Sequence, residues 1–159
     1  MKVKDTFLDD ELFNKVLALY NSVEWTAAPV VENSLDKEIY FVNQPILISK
    51  EAIRFNNLGA ELHGMFAKLL PDFTTWIRVK LNLIPATEKI IKHAPHQDYP
   101  FKHKGAVFML NNCDGELHIE GNKIETVANR VVLFDPSMPH YTTTCTDSNC
   151  RSTINFNYF

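Results

Sequence analysis

The stretch Thr74-Thr75-Trp76-Ile77-Arg78-Val79-Lys80-Leu81-Asn82-Leu83-Ile84 decides the fold, because the hydrophobic period of the chain changes there from about 3.6 residues to about 2. Ile77, Val79, Leu81 and Leu83 alternate with Arg78, Lys80 and Asn82, so an extended backbone sends the apolar set to one side and the polar set to the other. A face of cationic and amide groups suits either solvent or the wall of a polar pocket, and the alternation alone leaves both readings open.

Upstream of this strand the apolar spacing is helical. Leu12, Phe13, Val16, Leu19 and Tyr20 follow the acidic start Asp9, Asp10, Glu11, which predicts an amphipathic helix. A second helix is expected with Ser49 as its cap, Phe55, Leu58, Leu62, Phe66 and Leu69 on one face, and Pro71 as its stop. Downstream, short strand candidates succeed one another at 106–111, 116–120, 123–127, 130–134, 140–144 and 151–159, with Gly121-Asn122 as a tight hairpin turn. The expected fold is mainly β with flanking α-helices: a sandwich or barrel in the second half, with the first half packed outside it.

Composition sets the outer limits. At 159 residues and 45% hydrophobic, the chain fits one globular domain able to bury roughly 70% of the surface its unfolded form exposes. A net charge of -3 gives no basic footprint, so nucleic acid ranks last among partners. No apolar run approaches the length of a membrane span and the N-terminus carries no signal-like segment, so a soluble, cytoplasmic protein with no membrane partner is expected. Three cysteines, Cys113, Cys145 and Cys150, form no zinc motif; Cys145 and Cys150 flank a polar turn, and in a reducing compartment free thiols are expected.

Chemistry concentrates in His96-Gln97-Asp98. Two residues apart on an extended backbone, an imidazole and a carboxylate reach the same side and can share a cation. With a further histidine, His140, they make a 2-His-1-carboxylate set, the arrangement that leaves positions on Fe(II) open for chemistry. Arg151 opens the last strand and is suited to a two-pronged grip on a distal carboxylate, and Thr153 and Asn155 share its face.

From His96 to Phe159 the chain resembles the double-stranded β-helix core of the Fe(II)/2-oxoglutarate-dependent dioxygenases, in the prolyl 4-hydroxylase-like branch found also in small bacterial and phage proteins. The landmarks are HQD at 96–98, MLN at 109–111, DGEL at 114–117, NRVVLF at 129–134, PH at 139–140 and RSTINFNYF at 151–159. More loosely, FLDDELFNKVLAL and Trp25 are similar to the leading helix and first strand region of that family. The resemblance implies a jelly-roll, cupin-like core over 73–159 and a mainly helical support region over 1–72, within a single dioxygenase domain spanning 1–159.

The same resemblance makes His96, Asp98 and His140 the iron ligands and Arg151 the partner of the 2-oxoglutarate 5-carboxylate, with Asn82 near the cosubstrate. It implies Fe(II), 2-oxoglutarate, O2 and ascorbate as cofactors. The implied reaction is hydroxylation of an unactivated C–H bond in a protein side chain such as proline, or in a small metabolite. Two residues depart from the pattern. Met109 stands where prolyl hydroxylases often place a tyrosine on the 5-carboxylate, a contact then left to a residue such as Thr153, and Asn157 replaces an aromatic residue of the pocket wall. The competing reading is a non-catalytic jelly-roll module that binds carbohydrate or protein, as in a viral particle.

His93 is expected to face solvent, His63 and His118 to pack locally, and His103 to join Lys89, Lys92, Lys102 and Lys104 in a solvated basic rim. Tyr99 and Tyr141, next to ligands, are expected to help close the site against water. Trp76 and Phe134 are assigned to the core.

Overall fold

A computed structural model describes residues 1–29, 39–50 and 52–159. The strands are β1 (Lys2–Lys4), β2 (Thr26–Pro29), β3 (Ile39–Ile48), β4 (Ile53–Phe55), β5 (Trp76–Pro85), β6 (Lys104–Met109), β7 (Cys113–Ile119), β8 (Asn122–Thr126), β9 (Val131–Phe134), β10 (His140–Thr142) and β11 (Cys150–Tyr158). The helices are α1 (Asp10–Asn21) and α2 (Asn57–Phe66). One sheet of eight strands runs β1-β9-β6-β11-β5-β3-β2, with β4 added on β3, and a three-stranded sheet runs β10-β7-β8. All strand pairs are antiparallel, and the two sheets with their flanking helices make a jelly-roll core of the expected class.

Alternation along the central strands creates two interiors. Val79 and Leu81 of β5, Phe108 of β6 and Ile154 and Phe156 of β11 project toward the helices, where they meet Val16, Tyr20, Leu62 and Phe66. The opposite face of β6 sends Val107 and Met109 toward Leu117, Ile119, Ile124 and Val132, which joins the two sheets. Asp9 caps α1 by accepting from the Leu12 N–H at 2.8 Å, which offsets one orphan donor of the first turn.

The second helix starts later than its apolar spacing suggested. Asn56 is the cap, accepting from the Gly59 N–H at 2.9 Å. Ser49 instead closes a turn with Ala52, and Ile53, Arg54 and Phe55 form β4 against Ile46–Ile48. Residues 1–72 thus contribute strands as well as helices. The largest of these, β3, pairs directly with β5 and carries a bulge between Asn43 and Ile46. Pro45 lies inside that bulge and has no N–H for the ladder, which accounts for the interruption.

A second bulge corrects the parity of β5. Asn157 pairs with Arg78 but Tyr158 pairs with Trp76, so Ile77 is the extra residue and Trp76 joins the helix-side core in its place. The hairpin between β7 and β8 turns one residue earlier than expected: Ile119 faces Asn122, and Glu120 and Gly121 both take positive φ. Two successive residues with φ > 0 are the mark of a type I′ turn, in which glycine is unstrained.

Candidate functional site

The polar face of β5 meets the polar face of β11. In register, Asn82 stands opposite Thr153, Lys80 opposite Asn155 and Arg78 opposite Asn157. The Asn82 amide donates to Thr153 Oγ1 at 3.2 Å, and Thr153 Oγ1 donates to Asn155 Oδ1 at 3.3 Å. Of the two readings open to this face, the structure selects the pocket. Lys80, Asn82, Arg151, Thr153 and Asn155 line one cavity with Tyr40, Ile84, His96, Val107, Leu117, His140, Tyr141 and Thr142.

His140 opens β10, while His96 lies outside the regular strands and is fixed by a single antiparallel bridge to His140. Pro95 and Pro100 flank this segment, and their missing N–H groups prevent the continuous strand that the spacing of His96 and Asp98 suggested. The Asp98 N–H bonds to Pro136 O at 2.9 Å and sets the local direction of the chain. One nitrogen of each imidazole and a carboxylate oxygen of Asp98 lie within 4.8 Å of one another.

Each ring faces a carbonyl through Nδ1: His96 toward Ala94 O at 3.3 Å and His140 toward Met138 O at 2.9 Å. With Nδ1–H donating there, Nε2 carries the lone pair, which is the tautomer a cation requires. Burial, and then the neighbouring His140, push the His96 imidazole below its ordinary range and favour its neutral form. For Asp98, burial opposes ionisation, but Arg78 above all, with His140, Asn157 and His96, outweighs it and holds the carboxyl at about 2. Two imidazoles presenting Nε2 and an ionised carboxylate are a donor set suited to a divalent transition metal.

Arg151 is only 2% exposed. Its Nε donates to Thr126 Oγ1 at 2.8 Å, and that hydroxyl donates to Gly115 O at 2.5 Å. Its Nη2 is buried with no hydrogen-bond acceptor, and no carboxylate among the described residues forms a salt bridge with it. Burial pushes the guanidinium down to about 10, against the opposing influence of the Cys113 and Cys145 thiols. A buried cation without a counter-charge is costly unless an anion arrives to pair with it. Gly115 makes room for it: a Cβ there would stand 2.8 Å from Arg151 Cδ and 2.9 Å from Thr144 O.

Several residues differ from their sequence-based reading. His93 is buried rather than solvent-facing, and its N–H bonds to Thr142 O at 3.0 Å. His103 is buried too, leaving the basic rim to bond with Phe101 O at 2.8 Å and Asn157 at 3.1 Å. Asn157 is not part of the pocket wall; it donates to Asp98 Oδ2 at 2.8 Å. Met109 is fully buried in the apolar cluster between the sheets.

Other residues sit as expected. His63 accepts from Trp76 Nε1 at 3.0 Å, and His118 pairs with Glu116 at 2.8 Å and stacks on Tyr141. Cys113, Cys145 and Cys150 are free thiols. Sequence reasoning missed Tyr40, which hydrogen-bonds with Lys80 in the pocket, and Thr126, which orients Arg151. It also missed the pairing of Arg78 with Asp98 at 2.8 Å. Strand parity placed Arg78 on the correct face, but nothing local in sequence pointed to Tyr40 or Thr126.

No family model matches the sequence, and no curated protein matches it. Solved structures do match in fold. A 2OG-Fe(II) oxygenase family oxidoreductase from Burkholderia pseudomallei aligns at TM-score 0.72 and 14% identity, over 97% of this chain and 81% of that one. A Trichoplax adhaerens prolyl hydroxylase, in complex with a hypoxia inducible factor oxygen degradation domain peptide fragment, aligns at TM-score 0.69 and 17% identity, over 99% and 82%. The epimerase SnoN, in complex with Fe3+, alpha ketoglutarate and nogalamycin RO, aligns at TM-score 0.66 and 10% identity, over 99% and 77%. No helix of the described residues is long and apolar enough to cross a membrane. In fold, this chain is similar to the 2-oxoglutarate–Fe(II) oxygenases, prolyl hydroxylases among them.

Proposed function

We propose that this protein is an Fe(II)- and 2-oxoglutarate-dependent dioxygenase. It hydroxylates an unactivated C–H bond, in a protein side chain such as proline or in a small metabolite, and releases succinate and CO2. One observation carries the reading: Arg151, buried and without a carboxylate partner among the described residues, lines the same pocket as His96 and His140. A pocket lined by two of the three candidate metal ligands and by a guanidinium with no carboxylate partner suits a ligand that chelates at one end and is anionic at the other. 2-Oxoglutarate has that form. A jelly-roll module that only binds carbohydrate or protein gives no reason for such an arginine.

In this reading His96, Asp98 and His140 hold the iron, and Fe(II) supplies the oxidative chemistry that consumes O2 and 2-oxoglutarate, with ascorbate as an accessory reductant. Arg151 binds the 5-carboxylate, oriented by Thr126. Asn82, Thr153 and Asn155 form a hydrogen-bonded row beside it that orients the cosubstrate. The Tyr40 hydroxyl, held against Lys80, supplies the polar wall that Met109 does not. Tyr141 and the apolar Ile84, Val107 and Leu117 keep water from the bound cosubstrate. The test is succinate release from 2-oxoglutarate by the Fe(II)-loaded protein. Turnover should be lost in His96→Ala and Asp98→Ala, and turnover kept in both would overturn the assignment.

A further inference from the structure

We infer that Arg78 and Asn157 are positioning residues that restrict Asp98 to ligation through one carboxylate oxygen. The inference rests on the preceding reading, in which Asp98 is a metal ligand, and adds the way in which that ligand is presented.

The geometry is that of a carboxylate gripped from two sides. Arg78 Nη2 donates to Asp98 Oδ1 at 2.8 Å, and Asn157 Nδ2 donates to Asp98 Oδ2 at 2.8 Å. Oδ1 is the oxygen that faces His96 Nε2, at 3.9 Å. Each carboxylate oxygen accepts about two hydrogen bonds or metal contacts, so one donor apiece leaves both oxygens some capacity, and direction decides between them: Oδ1 faces His96 while Oδ2 is held toward Asn157. Swinging Asp98 into two-oxygen ligation breaks the bond to Asn157.

The donors are themselves fixed. Arg78 Nε donates to Asn157 Oδ1 at 3.1 Å, and the guanidinium carbon lies 5.3 Å from the centroid of the Tyr99 ring. His103 Nδ1 lies 2.8 Å from Phe101 O, so its N–H donates there and Nε2 accepts from Asn157 Nδ2 at 3.1 Å. These partners define which way the Asn157 amide points: its oxygen must meet the Arg78 N–H, and its nitrogen must meet the two acceptors. A flipped amide would set Oδ1 against the Asp98 carboxylate. Arg78 and Asn157 are direct cross-strand partners on β5 and β11, so the grip is built into the sheet rather than hung on a loop.

The two donors differ in what they do to a cation. Asn157 only orients. Arg78 orients and also places a fixed positive charge on the ligand oxygen, so its removal relieves repulsion while freeing the carboxylate. If positioning dominates, loss of either residue weakens metal binding. If charge alone matters, loss of Arg78 tightens it.

The experiment titrates Co(II) into the full chain, reading affinity and the visible d–d absorption, for the native sequence, His96→Ala, Asn157→Leu, Arg78→Gln and Arg78→Lys. Asn157→Leu and Arg78→Gln are each expected to lose roughly 10- to 100-fold in Co(II) affinity, the usual effect of removing an outer-shell partner. Both should show an altered absorption band from the changed carboxylate geometry. Arg78→Lys keeps the charge and one bond to Asp98 and should recover part of the loss, which keeps the test available if either larger change fails to fold. Unchanged affinity and spectrum in the folded variants, or tighter binding in Arg78→Gln, overturn the positioning role while leaving the metal site intact. If the native chain binds Co(II) no better than His96→Ala, the metal reading itself fails and the inference with it.

Discussion

His96 and His140 exchange both of their backbone hydrogen bonds, His96 N to His140 O at 2.9 Å and His140 N to His96 O at 3.0 Å. The two rings therefore leave the same side of one residue pair, with centroids 4.6 Å apart. Forty-four positions separate them in sequence, and a single bridge removes the need for a longer strand. His96→Ala and His140→Ala should each lose more Mn(II) affinity than the roughly 10- to 100-fold that an outer-shell change costs. Because the bridge is backbone to backbone, both variants should keep the native fold by circular dichroism. Native Mn(II) affinity in either would remove that histidine from the site.

Arg151 separates stability from binding. Arg151→Ala should weaken 2-oxoglutarate binding by roughly 2 to 5 kcal/mol, the range for stranding one member of a buried charge pair. Arg151→Met, which fills the space with apolar atoms, should raise the melting temperature of the ligand-free protein, because the uncompensated buried charge is gone. Calorimetric titration and thermal melts on the same samples measure both. A less stable Arg151→Met with unchanged affinity would place the carboxylate partner elsewhere.

Gly115 leaves the space in which that arginine lies. Gly115→Ala sets a methyl group against Arg151 Cδ and against the Thr144 carbonyl oxygen, a backbone atom that must itself move. Overpacking of this kind costs about 1 to 3 kcal/mol. Urea denaturation should show that loss, and 2-oxoglutarate affinity should fall with it as the guanidinium shifts. If stability and affinity are both native, the glycine is not required by the arginine.

Acid should loosen the N-terminal strand. Arg130 pairs with Asp5 through Nε at 2.5 Å and Nη2 at 3.0 Å, next to the pairing of β1 with β9. The Arg130 hydrogen bond holds the Asp5 carboxyl below its ordinary 3.8. A carboxylate depressed on folding contributes stability above its unfolded value and loses it as pH falls through the folded one. The melting temperature of the native chain minus that of Asp5→Asn should thus be positive at neutral pH and shrink below about pH 4. A difference that does not change with pH would mean that the pair contributes nothing on folding.

The second half of the fold was legible because its strands alternate cleanly and end at turn residues. The first half was less so, for identifiable reasons. Residues 39–48 carry the β-branched and aromatic content of a strand, but Pro45 in their midst argues against one until the bulge is seen. Phe55 completes a helical apolar pattern with Leu58 and Leu62, yet Asn56 is the better cap and leaves Phe55 on a strand. In the site, His96, Asp98, His140 and Arg151 stood out by residue type and order. Tyr40 and Thr126 did not, because each owes its place to strands that meet only in three dimensions. Asn157, a departure from the family pattern in the sequence, is placed by the structure against Asp98.

In the proposed function a divalent metal and 2-oxoglutarate bind side by side, the metal at His96, Asp98 and His140 and the far carboxylate at Arg151. A thermal melt of the native chain with Mn(II) alone, 2-oxoglutarate alone and both together tests it most directly. Joint stabilisation should exceed the sum of the separate shifts, since each ligand helps to hold the other on the folded state. Arg151→Ala should keep the Mn(II) shift and lose the added effect. If 2-oxoglutarate adds nothing in the presence of saturating Mn(II), the shared pocket is contradicted.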